Sequence, residues 1–363
     1  MFAGSTAIPP GRGGWSSIRE LVEELFGGTD AWIVGGAVRD QALGRPVIDL
    51  DVALREPERA ARAFARHSGG APFPLSERHG AWRVALEDGR TVDFTPLTGS
   101  IEDDLATRDF SINAVAERVG TGDVVDPYKG REALAERSLQ AVSETIFADD
   151  PLRLLRAVRL EDELGFRLDG RTEELLTAHV DLVGRPAGER ILAELRRLSP
   201  KGFRRLDELG LLAPLGGSLA GFDRSGPSDH RDYNLVVVFG EKLKTFPIAN
   251  ETRRFARAML RAQAPVDAGS RSIHRFRRAT EPWALEALAF LGAREFEEAV
   301  IRARESEPKK PLVRGGELGI RPGPEVGRLL EEIEEERAAG TIKSKEEALE
   351  YARRNAGSVR GDG

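Results

Sequence analysis

Residues 31–54 read AWIVGGAVRDQALGRPVIDLDVAL. The apolar run Ala31–Val34 reads as a buried strand that meets the pair Gly35–Gly36. The following AVRDQALG predicts a helix closed by Gly44. VIDLDVAL then alternates as a strand does, with Ile48, Leu50 and Val52 on one face and Asp49, Asp51 and Ala53 on the other. Two glycines between a strand and a helix let backbone N–H groups approach an anion, and the helix dipole favours negative charge there. Arg39, in the first turn, reaches the same place. Asp49 and Asp51 form a hard oxygen site suited to Mg2+. Taken singly, a glycine pair is mostly packing and a D-x-D strand is mostly solvated edge charge. Packed into one span in this order, they point to a nucleoside triphosphate bound with its metal.

Outward from that span the pattern is mixed α/β to about residue 140. SSIRELVEELFGG and EPERAARAFARHSG read as helices, and AWRVALEDGRTVDFTPL as a hairpin turning at Asp88–Gly89. Asp93, between Val92 and Phe94, faces away from the apolar side of its strand. With Asp49 and Asp51 it would complete a catalytic two-metal site. One metal would activate a 3′-hydroxyl and the other would steady a leaving pyrophosphate. From Asp149 onward the chain reads as almost wholly helical. Helices are predicted at 151–164, 171–182, 187–199, 202–210, 248–264, 280–291, 293–305, 324–338 and 344–355, with a Gly/Pro/Ser-rich loop at 213–233.

Two further stretches carry chemistry. In TRDFSINA, Arg108, Asp109 and Asn113 fall on a predicted helix, with Asp109 and Asn113 four apart on one face. In DDPLRLLRAVRL, Asp150 before Pro151 is an N-cap signature, and Arg153, Arg156 and Arg159 recur every third residue among Leu and Val. A salt-bridged surface helix is the plainer reading of the arginines. Cytosine and adenine, however, each present an amino donor beside a ring-nitrogen acceptor. A carboxylate paired with a guanidinium satisfies both, whereas uracil and guanine reverse the order and would leave groups unpaired at roughly 1–3 kcal/mol each. Asp150 and Arg153 can present that pair from one helix.

The 363 residues carry a net charge of −6 and no cysteine, which excludes disulfides and thiolate metal sites and fits a cytoplasmic protein. No apolar run approaches the roughly 18 residues of a membrane span, so no membrane partner is expected. Residues 1–14 lack the pattern of a signal peptide and read as a disordered leader. Arginine outnumbers lysine 46 to 8, a bias that genome composition or a warm habitat also produces. It suits phosphate binding.

Together GGAVRD…DLD, TRDFSINA and DDPLRLLRAVR resemble, in order and spacing, the motifs of the class II tRNA nucleotidyltransferases, which share a catalytic head with bacterial poly(A) polymerases. The match is dense over 31–166, and the C-terminal GGELGIRPGPEVGRLLEEIEEERAAG is similar to the tail of such enzymes. The resemblance implies a polymerase-β-like α/β head over 15–140, then an all-α neck over 141–200, body over 201–280 and tRNA-binding tail over 281–363. It further implies that Gly35, Gly36 and Arg39 hold the triphosphate and that Asp49 and Asp51 hold Mg2+. Asp93 sits at a matching carboxylate position, and Arg108, Asp109 and Asn113 meet the nucleotide. Asp150, Arg153, Arg156 and Arg159 read the base and its phosphates. The implied partners are tRNA, CTP and ATP.

Three departures matter. Thr107 stands where a second arginine is usual. The His-Asp pattern of phosphohydrolase domains is absent, and His230 reads as a lone solvated loop residue. Only 14 residues separate Asp93 from Arg108, where CCA-adding and A-adding members hold a longer flexible loop. That short interval resembles the CC-adding subgroup. The expected function is template-independent addition of C to the tRNA 3′ end. A full CCA-adding enzyme, a poly(A) polymerase and a non-catalytic tRNA-binding relative are the alternatives.

Overall fold

The computed structural model describes residues 15–76, 80–223, 225–308 and 310–356. The leader expected at 1–14 lies outside them. The chain divides into two compact units, one ending at Pro214 and the other beginning at Leu215. That division falls inside the loop expected at 213–233.

The first unit opens with helix α1 (Trp15–Phe26), strand β1 (Trp32–Val34), α2 (Gly36–Ala42), β2 (Asp49–Leu54) and α3 (Pro57–Ser68). β3 (Ala71–Ser76), β4 (Ala81–Ala85), β5 (Thr91–Pro96), α4 (Ile101–Ala106), β6 (Ala116–Arg118), β7 (Val124–Val125) and α5 (Gly130–Glu136) follow. The strands form one mixed sheet in the order β3-β4-β5-β2-β1-β6-β7. Only β2 and β5 run parallel among its neighbours. Ile18, Val22 and Phe26 on α1 and Phe64 on α3 pack against Ile33, Leu50, Val52, Val92 and Phe94 on one face of the sheet. Trp32, Val34 and Ala53 cover the other face with Ile101 and Leu105 of α4. Strand alternation thus turns the aspartates of β2 and β5 toward the second face.

Three local expectations were displaced. β3 is new: APFPLS contains two prolines, which weaken a strand reading, and it sits at the sheet edge with β4 as its sole partner. Ile48 was expected to point inward with Leu50 and Val52, but it precedes the first residue of β2 and is 62% exposed. TRDFSINA is not an α-helix. It is an extended turn ending in a 3-10 segment, Ser111–Asn113. Its backbone pairs with a distant stretch, Ser111 N–H donating to Gln140 O and Val142 N–H to Asp109 O. The Asp109 carboxylate accepts from the Phe110 N–H and from Asn113 Nδ2, so the pair four apart does meet, by another route.

The rest of the first unit is helical: α6 (Ile146–Asp149), α7 (Leu152–Leu164), α8 (Gly170–Thr177), α9 (Gly188–Leu195) and α10 (Pro200–Glu208). A small parallel pair, β8 (Ser138–Leu139) and β9 (Arg167–Leu168), ties the start of this region to the end of α7.

The second unit holds α11 (Tyr233–Phe239), α12 (Asn250–Arg261), α13 (Ser270–Thr280), α14 (Ala284–Leu291), α15 (Glu297–Glu305), α16 (Pro324–Ala338) and α17 (Lys345–Asn355). α11 and α13 were not expected. The buried stripe of α13 is Ile273, Phe276, Arg277 and Thr280, so half of it is polar and the apolar period is broken. Arg277 is held by Glu281 and Glu307. Arg271, Arg275 and Arg278 of the same helix pair with Glu336, Glu335 and Glu331 of α16. On α12 the exposed Arg254 and Arg257 make no ion pair among the described residues. His230 is no solvated loop residue: its ring stacks on Phe255 at 3.6 Å and its Nδ1 accepts the Asp232 N–H. No helix among the described residues is long and apolar enough to cross a membrane.

Gly130 is the close approach that seats the 3-10 turn, because a Cβ there would collide with the Ser111 carbonyl and Val115. Gly130→Ala should therefore destabilise the protein by about 1–3 kcal/mol. Gly170→Ala, where a Cβ meets nothing within 4 Å, should be neutral or stabilising by up to about 1 kcal/mol. Urea midpoints of the two variants test the contrast.

Candidate active site

The β1–α2 connection brings backbone against side chains. Gly35 has φ 71° and ψ −134°, a conformation strained for L side chains. A Cβ there would lie 3.3 Å from Asp51 Oδ2 and 3.4 Å from Arg108 Nη1. Glycine is thus the residue that lets the chain lie against a carboxylate and a guanidinium at once. Arg39 spans its own helix and the 3-10 turn: Nε and Nη2 grip Asp40, and Nη1 donates to Asn113 Oδ1 at 2.8 Å.

The acidic group follows from register. Asp51 of β2 lies directly opposite Asp93 of parallel β5, and Asp49 opposite Thr91, whose hydroxyl donates to Asp49 Oδ1 at 2.7 Å. The three carboxylates have different surroundings. Asp93 is buried and gives both oxygens to Arg83 at 2.7 Å. Asp49 is exposed. Asp51 is half-buried and makes no hydrogen bond or ion pair among the described residues. Burial, with the neighbouring charges of Asp93 and Asp49, pushes its carboxyl up to about 6 against the pull of Arg108 and Arg83. Arg108 is itself steadied by Asp104 of α4. Among the described residues no three His, Cys, Asp or Glu side chains stand grouped as a ready-made metal cage.

Helix α7 forms the opposite wall. Asp150 acts as the cap the sequence suggests, Oδ1 accepting the Leu152 N–H at 3.1 Å. Its other oxygen accepts from Arg190 at 3.0 Å, so it is paired with α9 and not with Arg153. Arg153 donates to the Thr107 carbonyl at 2.6 Å, and Arg156 reaches Asp109 at 2.9 Å. The carbonyl, not the side chain, is thus what Thr107 offers the site. Arg159 is buried and held by Glu194 and Glu163. Asp109 is also buried; burial alone would raise its carboxyl, but Arg156, Asn113 and the Phe110 N–H together hold it below the usual range.

These parts enclose a cavity of about 510 Å3. Every residue expected to bind nucleotide or metal lines it except Asp93, which sits opposite Asp51 on the neighbouring strand, and Asp150, which is bound to Arg190. Arg45 and Arg197, which no motif signalled, also line it and converge on Glu163. Arginines outnumber carboxylates in the wall seven to five, which suits a polyanion next to a metal. A wider cavity of about 820 Å3 in the second unit, beside Arg261, Arg271 and Arg275, has Asp267 as its one carboxylate and no comparable chemistry.

Comparison with known proteins agrees. Residues 31–140 match the model of the poly(A) polymerase head domain. A CC-adding tRNA nucleotidyltransferase of Thermus thermophilus is 33% identical over 89% of this chain and 93% of its own length. The chain belongs to the tRNA nucleotidyltransferase family. A CC-adding relative from Geobacter sulfurreducens is 45% identical, but over 47% of this chain and 41% of the relative. An A-adding relative from Deinococcus radiodurans is 33% identical over 89% of this chain and 95% of the relative. The Bacillus stearothermophilus CCA-adding enzyme in complex with CTP superposes with a TM-score of 0.75 at 25% identity, covering 93% of this chain and 96% of that one. The Thermotoga maritima CCA-adding enzyme complexed with tRNA superposes at 0.70 and 23% identity over 94% and 95%, a likeness of fold. The mixed sheet followed by helices is the fold of this nucleotidyltransferase family.

Asp51 gives the site a pH signature. The folded protein holds the Asp51 proton more tightly than the unfolded chain does, so stability falls as pH rises from about 4 through about 6. The penalty is complete above that window and is worth roughly 3 kcal/mol. In metal-free buffer, Asp51→Asn should raise unfolding free energy by up to about that amount at pH 8 and hardly at all at pH 4. Equal gains at both pH values would refute the assignment.

Proposed function

We propose that this nucleotidyltransferase moves CMP from CTP to the 3′ end of tRNA, releases pyrophosphate and stops after the second C. The observation that carries this reading is one cavity faced by an acidic strand on one side and an arginine-bearing helix on the other. CC-adding relatives from Geobacter and Thermus support the choice of CTP. The A-adding relative from Deinococcus is as similar as the Thermus one, and the short interval before Arg108 is what favours C. The short Asp93–Arg108 interval holds capped helix α4, which leaves little chain there for a flexible loop.

The donor set fits Mg2+. Asp49 and Asp51 would offer hard oxygen ligands on one face, and Asp51 makes no hydrogen bond or ion pair among the described residues. A pair of such ions would supply Lewis-acid stabilisation of the leaving pyrophosphate and an activated 3′-hydroxyl. The protein's own part is electrostatic and geometric. Arg39 and Arg108 bind phosphate oxygens beside Gly35 and Gly36, Asp109 and Asn113 fix the arginines around the sugar, and Asp150 with Arg153 selects the base. The neck, body and tail divisions near 140, 200 and 280 belong to the same reading, as does a cytoplasmic setting.

Labelled CTP and ATP, offered separately and together with tRNA lacking its 3′ CCA, test the function. The expected product is tRNA extended by two C and no A. Added A after CC would make the enzyme a full CCA-adder, A on tRNA-CC alone an A-adder, and a run of A a poly(A) polymerase. No incorporation with intact tRNA binding would mark a non-catalytic relative. Asp49→Ala and Asp51→Ala should each cut incorporation by about a thousandfold or more, because a ligand to the charge-stabilising metal is lost. Their tRNA affinity should stay within a few-fold.

The tRNA surface has its own test. Arg254 and Arg257 make no ion pair among the described residues, whereas Arg275 and Arg278 are already held by glutamates. Neutralising the first pair should lessen the log–log salt slope of tRNA affinity by roughly 0.7–0.9 per contact. Neutralising the second pair should leave the slope unchanged, and the reverse result would put the tRNA on α13.

A further inference from the structure

We infer that Arg190, on α9, is the positioning residue that fixes Asp150 for base selection; the inference rests on the reading of Asp150 and Arg153 as the base-selecting pair. A carboxylate is a selective acceptor only if its plane is fixed. The terminal torsion of aspartate is broad, so an unheld carboxylate rotates freely between acceptor directions. Asp150 is held at both oxygens: the Leu152 N–H fixes Oδ1 at 3.1 Å, and Arg190 Nη2 fixes Oδ2 at 3.0 Å. The backbone bond alone leaves the second oxygen unconstrained, and it is Arg190 that closes the geometry.

The other template side chains are treated alike. Arg153 is held by the Thr107 carbonyl, Arg156 by Asp109 and Arg159 by Glu194. These three restraints come from outside α7, and Glu163 of α7 holds Arg159 as well. Arg190 and Glu194 lie four apart, hence on one face of α9, and reach Asp150 and Arg159 respectively. One helix therefore braces the template at its start and at its middle. An ionised carboxylate can only accept, so it suits an amino group and leaves the carbonyl of uracil without a donor. Both Arg190 and Asp150 stay accessible, with 53% and 30% of their side chains exposed, so the pair adds little to stability. Its effect belongs to selection.

The test measures kcat and KM for CTP and UTP on tRNA lacking CCA, with melting temperatures alongside. Arg190→Gln should lower the CTP-over-UTP ratio of kcat/KM by about tenfold, mainly through a raised KM for CTP, with the melting temperature moved by no more than about 3 °C. Arg190→Lys keeps a cation there and should hold the ratio within about threefold of wild type. In an Asp150→Asn background, Arg190→Gln should change the ratio less than twofold, since its target is gone. A wild-type ratio in Arg190→Gln, or a full tenfold loss on top of Asp150→Asn, would overturn the proposal. A wild-type enzyme that incorporates no CMP, or an Asp150→Asn enzyme that keeps its preference for CTP, would sink the base-selecting pair itself, and Arg190's role with it.

Discussion

The parallel pairing of β2 with β5 sets Asp51 directly opposite Asp93. Two carboxylates one strand apart repel, and the fold answers each differently. Asp93 is neutralised by a two-pronged bond from Arg83. Asp51 makes no hydrogen bond or ion pair among the described residues, and burial raises its proton affinity against the pull of Arg108 and Arg83. A sheet built for stability alone would compensate both or place neither. The asymmetry is informative because an uncompensated, half-buried carboxylate costs the apo protein stability and gains most from a bound dication. Gly35 belongs to the same constraint: only a residue without Cβ lets β1 turn into α2 so near Asp51 and Arg108.

Arginine does two jobs in this chain, and sequence clustering does not separate them. The richest cluster, on α13, is structural. Its guanidiniums meet the glutamates of α16 and the Glu281–Glu307 pair, and the acidic run EEIEEER exists to receive them. The arginines of the proposed site are fewer and lie around a cavity, each tied to acidic, amide or carbonyl partners. Arg39 and Arg108 are of this kind. Planar, multiply donating guanidinium serves both ends, because one edge can be tied to protein while another faces phosphate.

Much of the head was legible because its determinants are local. Strand alternation placed Asp49 and Asp51 together, and the glycine pair placed the turn. The Asp88–Gly89 hairpin put Asp93 on the right side of its strand. What stayed hidden depends on residues distant in sequence. TRDFSINA has a helical look, but Gln140 and Val142 claim its backbone. The partnership of Asp93 with Arg83 needs the strand register, and that of Asp150 with Arg190 needs the packing of α9 on α7. α13 was missed because an arginine occupies its buried stripe, a choice that no apolar period reveals. His230 looked solvated since nothing near it in sequence predicts Phe255 and Trp283 beside its ring.

A protein that selects a base without a nucleic-acid template must make side chains as stiff as a paired strand. Base pairing owes its fidelity to donors and acceptors that cannot rotate away; long side chains on a surface helix rotate readily, and a mismatched base could then find a compromise geometry. On the proposed reading, the α7 wall would avoid this by anchoring its side chains to a second element: Asp109 from the 3-10 turn, Thr107 from the end of α4, and Arg190 and Glu194 from α9. The anchors use ionic and carbonyl bonds, which fix direction where apolar packing would fix only position. Rigidity of this kind makes the wrong base leave groups unpaired, and unpaired buried groups are what discriminate most strongly. On that reading, selection would reside less in the residues that touch the base than in those that stop them turning.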